Sequence, residues 1–377
     1  MAQRPLLNPL ILNSILNSRR LAAMGELKTP FPPEQLLNLS TNENAFGTAP
    51  SVVTAIQREA ATLHLYPSRT GELQLREKLA TMHGHGLTAN NIVLGNAGSR
   101  ILALAADGFL QPGDEVISFT PTFGFYPNAA QRLGATMVWL PLSAETNFQI
   151  NVDDVLNAVT ERTRAVYLCN PNNPTGSMIN SAEFDRLVDA LPPDILIVSD
   201  EVYYQFVDDD TFPNSTKHVQ AGRNLIQVFS FSKAYGLAGL RLGYGIMRPE
   251  IGTYFAKMQS TFQIGRLPIA AGLAAVDAQD HIAHTANNII HGRNWLRDQM
   301  QALGVTVYPS QGNFLLLEAP IAGAKLTHQL LKKHGIMVAD GKQRFGLPAC
   351  IRVTVGTPEN NQRFITALAS VLEGRKE

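Results

Sequence analysis

The stretch Ser230-Phe-Ser-Lys-Ala-Tyr-Gly-Leu-Ala-Gly-Leu-Arg-Leu-Gly-Tyr244 decides how the rest of the chain is read. A mostly apolar run, 225–229, has the length of a buried strand and stops abruptly at two hydroxyls and a lysine. Small residues follow, and Arg241 then sits within a second apolar run. A lysine in so apolar a setting has its amine paired or used in chemistry, because burial penalises the charged form. The same penalty lowers the amine's pKa and makes it a nucleophile able to form a Schiff base. Taken alone, Lys233 also fits a lysine at a strand end that reaches solvent.

Outward from this stretch the pattern repeats. Residues 91–95, 115–119, 136–140, 164–169 and 195–199 are short, mostly apolar runs, and helical spacing marks 50–62, 101–109 and 181–190. Strands alternating with helices predict an α/β fold with a large, mostly parallel, doubly wound sheet. Beyond about residue 270 the character changes. Long helices over 270–278 and 282–303 precede strands at 305–308, 313–317, 336–338 and 351–355, with helices at 326–334 and 359–372. This predicts a smaller α+β domain over 271–377 after a large domain over 45–270. Residues 1–44 are expected to pack with the small domain.

Composition narrows the function. With 377 residues the chain exceeds one typical core. Lys+Arg and Asp+Glu are both 31, so no net charge draws nucleic acid or an acidic membrane, and no basic stripe or zinc-finger spacing argues otherwise. Cys169 and Cys350, far apart, fit a reducing compartment rather than a disulfide scaffold. The N-terminus loosely imitates a signal peptide, but Asn8, Pro9 and Asn13 interrupt it. An amphipathic segment on a cytoplasmic enzyme is the expectation. His281 and His284 have helical spacing but no third ligand, so no metal site is expected.

In doubly wound sheets, ligands sit outside the carboxyl ends of the strands. The unusual polar residues of this chain fall at those ends. Gly98-Ser99, opening a helix, offers backbone N–H groups to an anion. Ser230, Ser232 and Arg241 add hydroxyls and a guanidinium fork suited to phosphate. Asp200 ends an apolar strand, where a protonated ring nitrogen would be a natural partner, although a helix N-cap is the commoner role. Asn173 and Tyr203 can bond a phenolate oxygen, and Phe123 can lie against a planar ring. With an amine at Lys233 for an aldehyde, the set describes pyridoxal phosphate.

On Asn170-Pro-Asn-Asn-Pro-Thr-Gly176, Asp200-Glu-Val-Tyr203 and Ser230-Phe-Ser-Lys233 with Arg241, the chain resembles fold-type I aminotransferases of class I/II. Within them it is most similar to histidinol-phosphate aminotransferases, over nearly its whole length. The resemblance implies that Lys233 holds the cofactor and moves the substrate proton, that Asp200 keeps the pyridine nitrogen protonated, and that Asn173 and Tyr203 bind the phenolate oxygen. Gly98, Ser99, Ser230, Ser232 and Arg241 would hold the phosphate, and Phe123 would stack on the ring. Tyr66 would reach the phosphate of a neighbouring subunit, which implies a homodimer. Arg352 would clamp a substrate carboxylate or phosphate, with Asn313 and the Asn42-Glu43-Asn44 loop lining the substrate side. The Asn173–Pro174 bond is expected to be cis.

Two departures bear on the substrate. Gly98-Ser99-Arg100 stands where relatives carry acidic residues, and Ala45 replaces a proline. The implied reaction moves an amino group from a primary amine, with histidinol phosphate favoured, to a 2-oxo acid such as 2-oxoglutarate. The alternatives are an aromatic or other amino-acid aminotransferase, and a decarboxylase acting on an amino-acid phosphate. An effector-sensing regulator would need a DNA-binding extension, for which the segment before Leu39 has no basic helices.

Overall fold

The computed structural model describes residues 29–374. Its strands are β1 (Leu37–Leu39), β2 (Ile92–Asn96), β3 (Glu115–Thr120), β4 (Thr136–Pro141), β5 (Thr163–Cys169), β6 (Leu196–Asp200), β7 (Leu225–Ser230), β8 (Leu242–Ile246), β9 (Thr306–Val307), β10 (Phe314–Glu318), β11 (Ile336–Asp340) and β12 (Cys350–Thr354). They form a seven-stranded sheet in the order β2-β8-β7-β6-β5-β3-β4 and a five-stranded sheet in the order β1-β11-β12-β10-β9. In the large sheet only β8 runs against its neighbours. The small sheet is antiparallel apart from the β1–β11 pair. This is the fold-type I arrangement expected, a large, mostly parallel, doubly wound sheet beside a smaller α+β unit.

The apolar strands are continuous because both faces of the large sheet are covered. Val166, Leu168 and Ile197 point into one core, with Leu75, Leu79, Phe184 and Leu187 from the helices Arg69–His83 and Ser181–Ala190. Ala165, Tyr167, Leu196 and Val198 point into the other, against Ile101, Leu104 and Phe255 from the helices Gly98–Phe109 and Pro249–Met258. Local signals set the element ends. Asn180 accepts the Glu183 N–H at 2.9 Å and so starts Ser181–Ala190 where the sequence predicts it.

Several features were not predicted. β1 lies just before the turn-rich entry at Leu39 and pairs with β11, Leu37 opposite Ile336. A three-residue strand has too little pattern to stand out from its flanks. The short helix Gly341–Phe345 begins where Asp340 accepts the Gln343 N–H at 2.8 Å. The helix read over 101–109 begins at Gly98, as the expected Gly98-Ser99 opening requires, and Ala97 at φ +64 turns the chain sharply out of β2 just before it. The helix Arg266–Asp277 packs on Pro50–Ala60 and Arg69–His83, whereas Gln279–Ala302 packs on the small sheet and on Pro358–Glu373. The Asn173–Pro174 bond is cis as expected, and so are the bonds before Pro121 and Pro171. Residues 1–28, with the amphipathic pattern of the N-terminal segment, lie outside the described residues. Among the described residues no helix is long and apolar enough to cross a membrane.

Candidate active site

The carboxyl ends of β5, β6 and β7 and the turn after β2 converge on one place. Gly98 and Ser99 open the helix Gly98–Phe109 there. A Cβ on Gly98 would lie 3.1 Å from Val228 Cγ1 and 3.3 Å from the Phe229 carbonyl, so a side chain there would crowd β7. The Ala97 N–H donates to the Arg241 carbonyl at 2.8 Å, which joins that turn to the Lys233 stretch. Ser230 and Ser232 are buried, and the Ser232 N–H donates to Ser230 Oγ at 3.1 Å. Arg241 Nη1 donates to the Ala238 carbonyl at 2.9 Å and reaches Ser232 Oγ at 3.4 Å. Free helix-start N–H groups, two hydroxyls and a guanidinium on one rim make an anion cradle.

Asp200 is 2% exposed. Its Oδ2 accepts the Tyr126 hydroxyl at 2.9 Å, while its Oδ1 has no partner. Burial pushes its pKa up to about 7, against the Tyr126 bond, the Val202 N–H and the charge of Lys233. A buried carboxylate with one oxygen unsatisfied is costly unless a cationic donor completes it. The Tyr203 hydroxyl receives Asn42 Nδ2 at 3.1 Å and Asn173 Nδ2 at 3.3 Å. Burial raises the Tyr203 pKa well above its usual value.

Lys233 is half-buried by surface area, with its amine enclosed. Its Nζ lies 5.6 Å from the centre of the Tyr203 ring and donates to the carbonyls of Thr41 and Asn42 at 3.2 and 3.0 Å. Burial first, then the nearby Arg352, lower its pKa to about 7, with Glu43 opposing. At neutral pH a large share of this amine is unprotonated and nucleophilic.

The small sheet supplies the opposite wall. Arg352, on β12, is 4% exposed. It donates to Asn173 Oδ1 and, at 2.7 Å, to the Ser40 carbonyl, and its Nε has no partner. Its guanidinium carbon lies 5.3 and 5.2 Å from the ring centres of Phe314 and Phe345. Among the described residues no carboxylate pairs with it. Burial lowers its pKa to about 10. Asn313, fully buried, donates to the Asn42 carbonyl at 3.2 Å and leaves its Oδ1 free.

Most residues singled out in the sequence therefore meet. Phe123 is half-buried, edge-on to Tyr126 with ring centres 5.8 Å apart. Tyr66 does not meet the others: it is 79% exposed and stacks on Phe262 at 4.9 Å. Asn42 is buried, with its side chain spent on Tyr203 and Thr354 rather than left open. Arg100 spends its guanidinium on Asp107 at 3.8 Å and on the Met258 carbonyl at 3.4 Å. Sequence reasoning missed Tyr126, although its spacing three residues after Phe123 was a usable signal, and it missed Phe345 and Thr354, for which nothing local was. It also missed Glu201, buried behind Asp200, whose carboxylate takes the Ser199 hydroxyl at 2.7 Å and Gln227 Nε2 at 3.2 Å.

Comparison with known proteins agrees with this geometry. Residues 34–368 match the model of the family "Aminotransferase class I and II". The histidinol-phosphate aminotransferase of Moorella thermoacetica is 35% identical over 348 residues, 92% of this chain and 88% of that one. That of Symbiobacterium thermophilum is 37% identical over 337 residues, 89% and 91%. The crystal structure of histidinol-phosphate aminotransferase from Sinorhizobium meliloti in complex with pyridoxal-5'-phosphate superposes with a TM-score of 0.84 at 25% identity, covering both chains completely.

Proposed function

The chain belongs to the aminotransferase class I and II family, and from that premise we propose that it is a pyridoxal-phosphate-dependent transaminase acting on histidinol phosphate and a 2-oxo acid such as 2-oxoglutarate. The carrying observation is Asp200, a buried carboxylate with one oxygen unpartnered, close enough to Lys233 for their charges to act on each other. The residues fit the cofactor. The open Asp200 Oδ1 suits a protonated ring nitrogen, Tyr203 and Asn173 suit a phenolate oxygen, and Gly98, Ser99, Ser230, Ser232 and Arg241 suit its phosphate. Bound there, pyridoxal phosphate supplies an aldehyde carbon that carries the amino group and a ring that accepts electrons from the substrate's Cα.

The protein's own part is positioning and proton traffic. Asp200 holds the proton on the ring nitrogen, and Tyr126 holds Asp200. Lys233 would hold the aldehyde carbon until the substrate's amino group displaces it, and the freed amine would carry a proton from the substrate's Cα to that aldehyde carbon, across the intervening nitrogen. Phe123 covers one face of the ring site, and Arg352 with Asn313 receives the substrate's anionic end. Arg352, buried without a carboxylate partner, suits a phosphate. The cation of Arg100 is engaged elsewhere, so that departure does not count against a phosphorylated substrate.

Exposed Tyr66, stacked on Phe262, suits an interface with a second copy, where it would complete the partner's phosphate cradle. Two domains suit the two sheets, with the segment before residue 45 joined to the small one through β1, and the packing of Arg266–Asp277 on Pro50–Ala60 and Arg69–His83 favours a division near Ala278 over the expected one at residue 270. A cytoplasmic place suits two buried free cysteines.

The test is a panel of amino donors, histidinol phosphate first, scored by loss of the cofactor's aldehyde absorbance. Histidinol phosphate should give the highest kcat/KM, and Lys233→Ala should lower turnover by at least about 10⁴-fold. A protein that binds no pyridoxal phosphate sinks the reading, and a better aromatic or acidic donor sinks the substrate.

A further inference from the structure

Lys233 is held by a loop whose sequence suggested a substrate role. Its Nζ donates to the carbonyls of Thr41 and Asn42. The same loop grips the next residue, because Asn44 Nδ2 donates to the Ala234 carbonyl at 2.9 Å. Gly236, at φ +68, lies so close to the Gly47 carbonyl that any Cβ would collide with it. Residues 41–47 thus wrap residues 233–236.

Asn42 carries this contact. It is 1% exposed, at φ +55, a left-handed conformation that asparagine tolerates better than most residues. Its N–H donates to Thr354 Oγ1 at 3.0 Å, and the Thr354 hydroxyl donates back to Asn42 Oδ1 at 3.2 Å. Its Nδ2 donates to Tyr203, and its carbonyl also accepts Asn313 Nδ2. A residue so fully bonded within the protein has little left to offer a substrate. It is built to fix where its own carbonyl stands.

We propose that Asn42 is a positioning residue for Lys233: whenever the amine is not bonded to cofactor, the carbonyls of Thr41 and Asn42 hold it, and the Asn42 side chain ties that resting place to Tyr203 and, through Thr354, to the small sheet. The inference rests on the reading of Lys233 as cofactor ligand and base. Carbonyl acceptors favour the ammonium over the neutral amine. They work against burial and the cations Arg352 and Arg241, in the same direction as the anions Glu43 and Asp200. They also fix the amine relative to the proton it moves, where an error of about 1 Å costs about 10²-fold in rate.

The test uses Asn42→Ala, which deletes the side-chain bonds and disfavours the left-handed backbone. In the cofactor-free protein, the rate at which Lys233 captures added pyridoxal phosphate is followed against pH. Its midpoint should move to lower pH than in the wild type. In turnover, kcat should fall about 10- to 100-fold while both KM values stay within about twofold. Asn42→Gly, which accepts the backbone and keeps the carbonyl, should recover part of kcat. Should Asn42→Ala fail to fold, Asn42→Gly and Thr354→Val decide, each expected to move the midpoint and kcat the same way by less. A raised KM at unchanged kcat would make Asn42 a substrate ligand and overturn the proposal, as would an unmoved midpoint with unmoved kcat. Wild type that captures no cofactor at Lys233 would instead refute the underlying reading.

Discussion

The two walls of the site are made differently. On the large-sheet wall each functional side chain follows directly from a strand end: Ser99 soon after β2, Asn173 after β5, Asp200 closing β6 and Ser230 closing β7. On the small-sheet wall they come from the interior of β12, from the residue before β10 and from a loop after β1, and they are joined by bonds between residues 312 positions apart. The first wall is organised by topology and the second by long-range contact. Under the proposed function, the chemistry would fall to the wall fixed by the parallel sheet, and Arg352 and Asn313, on the wall assembled from distant pieces, would receive the substrate.

If that division holds, damage to the first wall should appear in kcat and loss of Arg352 from the second in KM, while Asn42, which holds Lys233 from the second wall, should act on kcat. Asp200→Asn is the largest test. Loss of the charge beside the ring nitrogen should lower kcat about 10³-fold. The same change should stabilise the cofactor-free protein. The folded pKa of Asp200, about 7, lies above the ordinary aspartate value of 3.8, so its favourable contribution is present only at low pH and is lost as pH rises through about 7. Melting of the cofactor-free variant should therefore occur about 2 °C or more above wild type at pH 8, with no gain near pH 4. Arg352→Ala comes next. It should raise KM for the phosphorylated donor about 10- to 100-fold while cofactor binding, followed by absorbance, is unchanged. Loss of cofactor in that variant would break the comparison. Smallest is Arg100→Ala, which removes a half-buried pairing with Asp107 and a bond to the Met258 carbonyl, and should leave KM for the phosphorylated donor within about twofold. A larger change there would put a third cation in the substrate wall.

What the sequence made legible follows the same line. Alternation of apolar runs with helical spacing is local, so the large sheet and its strand-end residues could be located without coordinates. Asp200 and Lys233 stood out because a charge beside an apolar strand needs a reason. The partners that tune them did not stand out. Tyr126 looked like one more aromatic, and its hydrogen bond to Asp200 crosses 74 positions. β1 and the helix Gly341–Phe345 are too short to carry a period, yet they position the Ser40 carbonyl and Phe345 around Arg352. Tyr66 was legible as a residue type, but nothing local told of its exposed place stacked on Phe262.

The reversed direction of β8 has a consequence for how this chain can vary. Because β8 runs back along β7, the connection between them leaves and re-enters the sheet at the same end of the strands, with Lys233 near its start and Arg241 at its end. The chain distance between the Lys233 amine and the Arg241 guanidinium of the anion cradle is thus measured out by the connection over 231–241. That segment acts as a ruler. Side chains along it can change while the ruler keeps its length, but a single inserted or deleted residue would shift one chemistry relative to the other.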